Sequence, residues 1–317
     1  MSEPEPVAEP PDTARSSSRG RWLVVARVAF LLAAIGFGWL WLRDDWDDVV
    51  AAMQSVSLGA VAWSLLAVLA GLLLTGFVWG RCLHRFGHDV PTGAAMSVFF
   101  VGQLGKYIPG SVWSLGAQAQ MATRYGVPAR TTVAAGLVFL GWNVVTAAFV
   151  TSAGLLARRI SEIPWWVGLI GLLVSVACMT PRVVNAAGSW AAGGGRRLAL
   201  TGGDCTFIAV LLLVTWYLYG VALHAVSPDH NPYAYSSSTA AVAFTAAYAV
   251  GVIVVLAPAG LGAREAVLTL LLTPFLGVAG AAAAALLTRV VHTVADFFMA
   301  GAAWVLGRGS AGSAPPG

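Results

Sequence analysis

Apolar runs of about 20 residues, the length that crosses a bilayer core as helix, alternate with short polar stretches along almost the whole chain. Nothing in them has the period-two alternation of a barrel strand. The pattern predicts apolar spans over Trp22–Leu42, Val61–Gly80, Thr131–Leu156, Trp165–Thr180, Cys205–Val226, Thr239–Ala257 and Gly280–Leu306. Two further segments, Ala94–Gln118 and Pro258–Phe275, are apolar but interrupted by proline and glycine. Between the spans lie an acidic surface segment, Arg43–Gly59, and a largest internal loop, Pro181–Gly203. The expected fold class is all-α, a polytopic membrane bundle of about 7–8 transmembrane helices with two broken or re-entrant segments.

Three regions follow: a disordered tail over residues 1–21, rich in Pro, Glu, Ser and Arg; a membrane domain over 22–307; and a frayed tail over 308–317. Trp22–Leu42 is too long for the apolar core of a signal peptide and is read as the first anchored helix. Hydrophobic residues make up 58% of the chain and charged residues 10%, against about 25% charge in soluble domains. Of the 18 basic residues all but one are arginine, and they sit between the apolar runs. They report topology rather than nucleic-acid binding. With the N-terminus inside, the inner loops hold Arg81, Arg85, Arg124, Arg130, Arg182, Arg196 and Arg197, and the outer loops only Arg43, Arg158 and Arg159. That asymmetry predicts a cytoplasmic N-terminus in a cell membrane. The side of the C-terminus depends on whether Pro258–Phe275 crosses or turns back. Cys82, Cys178 and Cys205 form no CxxC pattern, so neither a disulfide framework nor a metal site is expected.

The chemistry concentrates in the two broken segments. The first, VGQLGKYIPGSVW from Val101 to Trp113, holds Lys106, the chain's one lysine, among the helix breakers Gly105, Pro109 and Gly110. The second is LAPAGLGARE from Leu256 to Glu265. Broken backbone at membrane depth survives where protein buries it or a water-filled cavity receives it. Helices that restart after such breaks present free N–H groups and a positive dipole end to anions. The candidate substrate-binding residues are therefore Lys106, Tyr107, Pro109, Gly110, Ser111, Gly260, Gly262, Arg264 and Glu265. Arg289, His292 and Asp296 recur at i, i+3, i+7 on one face of the last span and are expected to point inward as a gating or charge network.

Plainer readings stand beside these. Lys106 snorkels from a helix end; Arg264 and Glu265 cap a helix start; Arg289 pairs with Asp296 to fix one helix against another; Trp142, Asn143 and Thr146 bridge helices. His84, His88, His224 and His230 are expected at solvated span ends. Both breaks combine Pro with Gly, which suggests an internal repeat. Counting spans, however, starts both from the cytoplasmic side, whereas an inverted repeat requires opposite sides.

GQLGKYIPGSVW at Gly102–Trp113 and PAGLGAREAVL at Pro258–Leu268, with their order and spacing, resemble the lysylphosphatidylglycerol synthase transmembrane region, also called the flippase-like domain family. The resemblance implies translocation of a lipid or lipid-linked substrate. It places Lys106, Tyr107, Pro109, Gly110, Gly260, Gly262, Arg264 and Glu265 around a central cavity. In that family a separate soluble domain attaches the amino acid; no stretch of this chain outside the spans has that size, so the synthase activity is not carried over. The leading expectation is a non-enzymatic protein that binds an anionic phospholipid or polyprenyl-linked lipid, without cofactor or metal. GxxxxGK[ST] has no match, so movement is downhill or driven by ions or the membrane potential. Two other readings remain: an enzyme on lipid head groups using His292 and Asp296 as acid and base, and a membrane anchor for a separately encoded glycosyltransferase or synthase.

Overall fold

The computed structural model describes residues 36, 43–108, 113–158, 163–193, 197–228, 235–253 and 262–311. Pro109, Gly110, Ser111 and Gly260 of the candidate site, and the first expected span except Gly36, lie outside these residues. The described chain folds into ten α-helices: α1 Trp46–Ser55, α2 Leu58–Arg85, α3 Thr92–Gln103, α4 Trp113–Ala122, α5 Ala129–Leu156, α6 Trp165–Cys178, α7 Pro181–Ala191, α8 Gly202–Ala225, α9 Ser237–Ile253 and α10 Ala263–Ala311. Among the described residues four helices, α2, α5, α8 and α10, are long and apolar enough to cross a membrane. A bent pair, α6 with α7 at 65°, makes up to five. Their outer faces carry bare apolar side chains, among them Trp63, Leu66 and Phe77 on α2 and Ile170, Leu173 and Val174 on α6. In water such a surface is untenable at this extent; against lipid it is the expected finish.

Two expected loops are partly helical. The acidic segment becomes a 3-10 turn and α1, whose Val49 is fully buried against Ala282 and Ala283 of α10. The expected loop Pro181–Gly203 contains α7, started by Pro181 in the first turn, where its missing N–H costs nothing.

α2 and α8 are antiparallel and define two faces of the bundle. At one face Arg81 and Arg85, near the end of α2, both donate to Asp204 at the start of α8. At the other, Ser57 at the start of α2 and Ala225 at the end of α8 line a shared cavity with Ser227. The arginine face also receives Arg130, which packs on Gly193 beyond α7.

The two broken segments are hairpins of half-length helices. α3 starts at the arginine face, runs 12 residues, about 18 Å, and ends in a 3-10 turn, Leu104–Tyr107. α4 returns beside it: Gly102 packs on Gln118, and a Cβ on Gly105 would lie 2.7 Å from the Ser114 backbone nitrogen. Only glycine permits that approach of the two arms. Ala122, at the end of α4, is back at the arginine face in one cluster with Phe86 and Leu198. α9 enters instead from the opposite face, where Gly220 of α8 packs on Ala241. Its described residues reach mid-depth, where Gly251 meets Arg264, the second residue of α10.

α10 then doubles back. Glu265 and Arg289 stand twelve residues either side of Gly277 and would be about 36 Å apart on a straight helix, yet they form an ion pair at 2.8 Å. The fold lies at Gly277, which has φ 70 and ψ 171, a region open to glycine, just after Pro274. Phe275 at this bend packs on Tyr235, and Gly280 near Pro228, both at the face opposite the arginines. The second half of α10 runs to the arginine face, where Gly307 touches Ser97.

The expectation that both breaks start from one side is therefore corrected. The hairpin α3–α4 opens on the arginine face and the hairpin formed by α9 and the first half of α10 opens on the other. In sequence order, α2, α3, α4, α5 and then α8, α9 and the two halves of α10 repeat one pattern, full helix, half, half, full helix, with every direction reversed. The α6–α7 pair connects them. This is an inverted topology, and the C-terminal end of α10 lies at the arginine face because the second break turns back.

Candidate functional site

The second half of α10 carries the ladder on which both hairpin tips converge. Arg289, His292 and Asp296 share its inward face, as the i, i+3, i+7 spacing predicts. Their partners differ from the expected ones. Arg289 does not pair with Asp296: residues on one stripe of one helix point the same way and reach different neighbours. Arg289 Nη1 donates to Glu265 Oε1 at 2.8 Å, while Asp296 faces the first hairpin.

At the tip of the first hairpin Lys106 Nζ lies 2.6 Å from Asp296 Oδ2, and the Tyr107 hydroxyl donates to the same oxygen at 2.6 Å. The Tyr107 ring stacks on Phe297, 5.6 Å between centroids, so the turn Leu104–Tyr107 is fastened to α10 by an ion pair, a hydrogen bond and a ring contact. The Asp296 side chain is 8% exposed and that of Lys106 33%. The lysine is thus held by protein but open to a third of its surroundings, and it does not snorkel free.

At the second tip Glu265 does two things. Its Oε2 accepts the Gly262 N–H at 2.7 Å, capping the start of α10, and its Oε1 accepts Arg289. Glu265, expected as a substrate-binding residue or a helix cap, thus caps the helix start and also pairs with Arg289. Arg264, one residue earlier, makes no ion pair among the described residues. Its guanidinium lies over the ring of Phe244 at 4.9 Å and near that of Tyr248 at 5.8 Å. Aromatic faces attract and orient a guanidinium without cancelling its charge.

His292 stands between the two tips. Its ring stacks on Phe244 at 5.2 Å and meets Tyr219 edge-on at 5.0 Å. Nδ1 is 2.9 Å from the Thr288 carbonyl, which can only accept, so Nδ1 carries a proton. Nε2 is buried without a hydrogen-bond partner among the described residues. Counting His292 as neutral, the cluster holds, among the described residues, three cations (Lys106, Arg264, Arg289) and two carboxylates (Glu265, Asp296). One positive charge is in excess, and by pairing it is that of Arg264.

The aromatic bed of Tyr219, Phe244 and Tyr248 was not singled out from the sequence. The i, i+4 spacing of Phe244 and Tyr248 on α9 was the available signal. Of Trp142, Asn143 and Thr146, expected to bridge helices, Thr146 does so among the described residues: Trp216 Nε1 donates to Thr146 Oγ1 at 2.9 Å, joining α8 to α5, while Asn143 donates to the Phe139 carbonyl of its own helix and Trp142 packs in the core. Away from the cluster, Asp204 is the other charged hub, accepting from Arg81, Arg85 and Thr201. The three cysteines are free, and among the described residues no group of His, Cys, Asp and Glu is arranged to hold a metal ion.

These features define an all-helical, multi-pass membrane protein whose core holds a charged cluster between two opposed half-helix hairpins. The model of the lysylphosphatidylglycerol synthase transmembrane region matches residues 24–299, and the chain belongs to that family, whose name ties it to lipid handling. The match is to the membrane region, with no synthase domain. A search of curated proteins found no match.

Proposed function

We propose that this protein binds an anionic phospholipid or a polyprenyl-linked lipid at the intramembrane cluster and carries the head group from one leaflet to the other. The observation that supports the reading is the meeting of two hairpins from opposite faces on one charged helix face. Each hairpin provides backbone that ends at mid-depth and a cation, the arrangement by which membrane carriers receive an anion without leaving the bilayer. Charge inside a membrane costs about 2.5–3.5 kcal/mol per residue on insertion scales, and five ionisable side chains beside a histidine call for a functional return. No catalytic role is proposed for any of them.

The arginine face is proposed as cytoplasmic, with both chain ends on that side of a cell membrane. The described residues then make five crossings, α2, α5, the α6–α7 pair, α8 and the second half of α10, and two hairpins, α3–α4 and α9 plus the first half of α10.

The test is leaflet exchange of head-group-labelled lipids in vesicles containing the purified protein, with anionic and zwitterionic lipids compared. Exchange that favours anionic lipid and collapses in Lys106→Ala and Arg264→Ala is expected. Absence of exchange for every lipid, with folded and inserted protein, would refute the carrier reading. It would turn attention to a non-catalytic subunit of a separately encoded lipid- or sugar-transferring enzyme.

A further inference from the structure

The two hairpin tips both carry a cation, but among the described residues only one of the two, Lys106, has a carboxylate partner. Lys106 is held by Asp296 at 2.6 Å, whereas Arg264 rests on aromatic faces. The carboxylate that Arg264 would most simply use, Glu265, is already committed to Gly262 and Arg289. An anion entering the cluster in this conformation meets one uncompensated charge, on the hairpin that opens opposite the arginine face.

We propose that Arg264 and Lys106 are consecutive stations for a single lipid anion, and that Asp296 is the resident counter-ion that must release Lys106 before the anion can step from the first station to the second. The proposal rests on the lipid-carrier reading above and adds an order of events and a role for Asp296. The levels of Arg289 and Asp296 on α10 are seven residues apart, about 10 Å, roughly a third of the ~30 Å hydrocarbon core. A head group moving that far passes from the tip of one hairpin to the tip of the other, through the point at which opposite faces meet. His292, whose Nε2 has no hydrogen-bond partner among the described residues, stands between these two levels on α10.

The step conserves pairing. Lys106 exchanges one oxyanion for another, and the carboxylate it leaves retains the Tyr107 hydroxyl as a donor. The latch is also mechanical, because the same contact fastens the first hairpin to α10. A lipid that displaces Asp296 from Lys106 removes the ion pair from that fastening and leaves the Tyr107 hydrogen bond and the Phe297 ring contact, which loosens the hairpin that opens on the arginine face.

A salt bridge that is only structural gives both variants the same effect on binding; a resident counter-ion separates them, with tighter binding when the carboxylate is removed and nearly unchanged binding when the lysine is removed. Binding of dihexanoyl phosphatidylglycerol, dihexanoyl phosphatidylcholine and inorganic phosphate to the full-length protein is measured by calorimetry, beside leaflet exchange of labelled phosphatidylglycerol. Asp296→Asn is expected to bind phosphatidylglycerol about tenfold more tightly yet exchange it more slowly, the anion being trapped at Lys106. Arg264→Gln is expected to lose binding. Lys106→Gln is expected to keep the first-station affinity within about threefold and lose exchange. The swapped pair Lys106→Asp with Asp296→Lys is expected to leave exchange lost.

Because Lys106 is the chain's one lysine, ζ-15N-lysine labelling gives a single side-chain reporter in the wild type, independent of how Asp296→Asn folds. Its signal is expected to shift on adding phosphatidylglycerol and to stay put in Arg264→Gln. Weaker binding in a folded Asp296→Asn, recovery of exchange by the swapped pair, or an unmoved lysine signal with phosphatidylglycerol bound would overturn the relay and leave the carrier reading standing. No phosphatidylglycerol binding by the wild type would overturn both. Equal affinity for inorganic phosphate would assign the site to free anions and overturn the lipid relay.

Discussion

Replacing Asp204 by alanine removes one carboxylate from five hydrogen bonds at once, and its cost can be worked from the structure. Oδ2 accepts the Thr201 N–H at 2.8 Å and its hydroxyl at 2.7 Å, while Thr201 Oγ1 accepts the Asp204 N–H, a reciprocal cap on α8. Losing a cap of this kind costs about 1 kcal/mol. Oδ1 accepts Arg81 Nε and Nη2 and Arg85 Nη2 at 3.0, 2.6 and 2.8 Å. Removing one partner of a fully buried pair costs about 3–5 kcal/mol. Here the carboxylate is 1% exposed but the two arginine side chains are 39% and 30% exposed, so solvent screens the stranded guanidinium groups and the figure falls to about 1–3 kcal/mol. Asp204→Ala should therefore destabilise the protein by about 2–4 kcal/mol. Asp204→Asn keeps an acceptor for the cap and should lose only the charge part. Unfolding of the detergent-solubilised protein, followed by tryptophan fluorescence against denaturant, measures both. A loss below about 0.5 kcal/mol for the alanine variant, within the range of an ordinary surface change, would refute the reasoning. Equal losses for the two variants would refute the division between cap and charge.

Three further outcomes are expected. Gly277→Ala, forced into a left-handed φ of 70, should cost about 1–3 kcal/mol in the same unfolding assay; a neutral result would mean that α10 does not bend there. In a background lacking Cys82, Cys178 and Cys205, single cysteines at the exposed positions Thr123 and Ser238 should react with an impermeant thiol reagent from opposite sides of the membrane, and labelling from one side would remove the opposed hairpins. Thr146→Val leaves the buried Trp216 Nε1 without its acceptor and should destabilise by about 1–3 kcal/mol; stability equal to wild type would mean the indole finds another partner.

The elements of the site were legible because the bilayer makes polarity expensive: one lysine, two proline–glycine breaks and a charged stripe in an apolar chain are conspicuous. The partnerships were not. The spacing of Arg289 and Asp296 states that they share a face, and residues sharing a face need partners from other elements. Those partners, Glu265 and Lys106, come from segments 24 and 190 positions away. The side of the second break was misjudged for a related reason. Thr239–Ala257 has the composition of a full crossing, but by Gly251, within the 17 described residues of α9, the chain already meets Arg264 of the returning helix. Hydropathy measures how apolar a run is and says nothing about whether its neighbour continues the journey or reverses it. Helix α7 was hidden by loop-like glycines after it, although Pro181 ahead of an alanine-containing run was a usable start signal.

The pairing of Lys106 with Asp296 also sets a timetable for biogenesis. The carboxylate is synthesised 190 residues after the lysine, an interval of about 10–40 s at ordinary elongation rates. Throughout it the first hairpin carries a cation with no counter-charge at its own depth, so it has reason to stay shallow. The last helix brings the missing carboxylate, the Phe297 ring that receives Tyr107 and the alanines that seat Val49 of α1. Arrival of the final segment thus closes contacts with the earliest described helix and with the first hairpin together. A nascent chain stopped short of Asp296 would hold Lys106 in the membrane without this carboxylate partner.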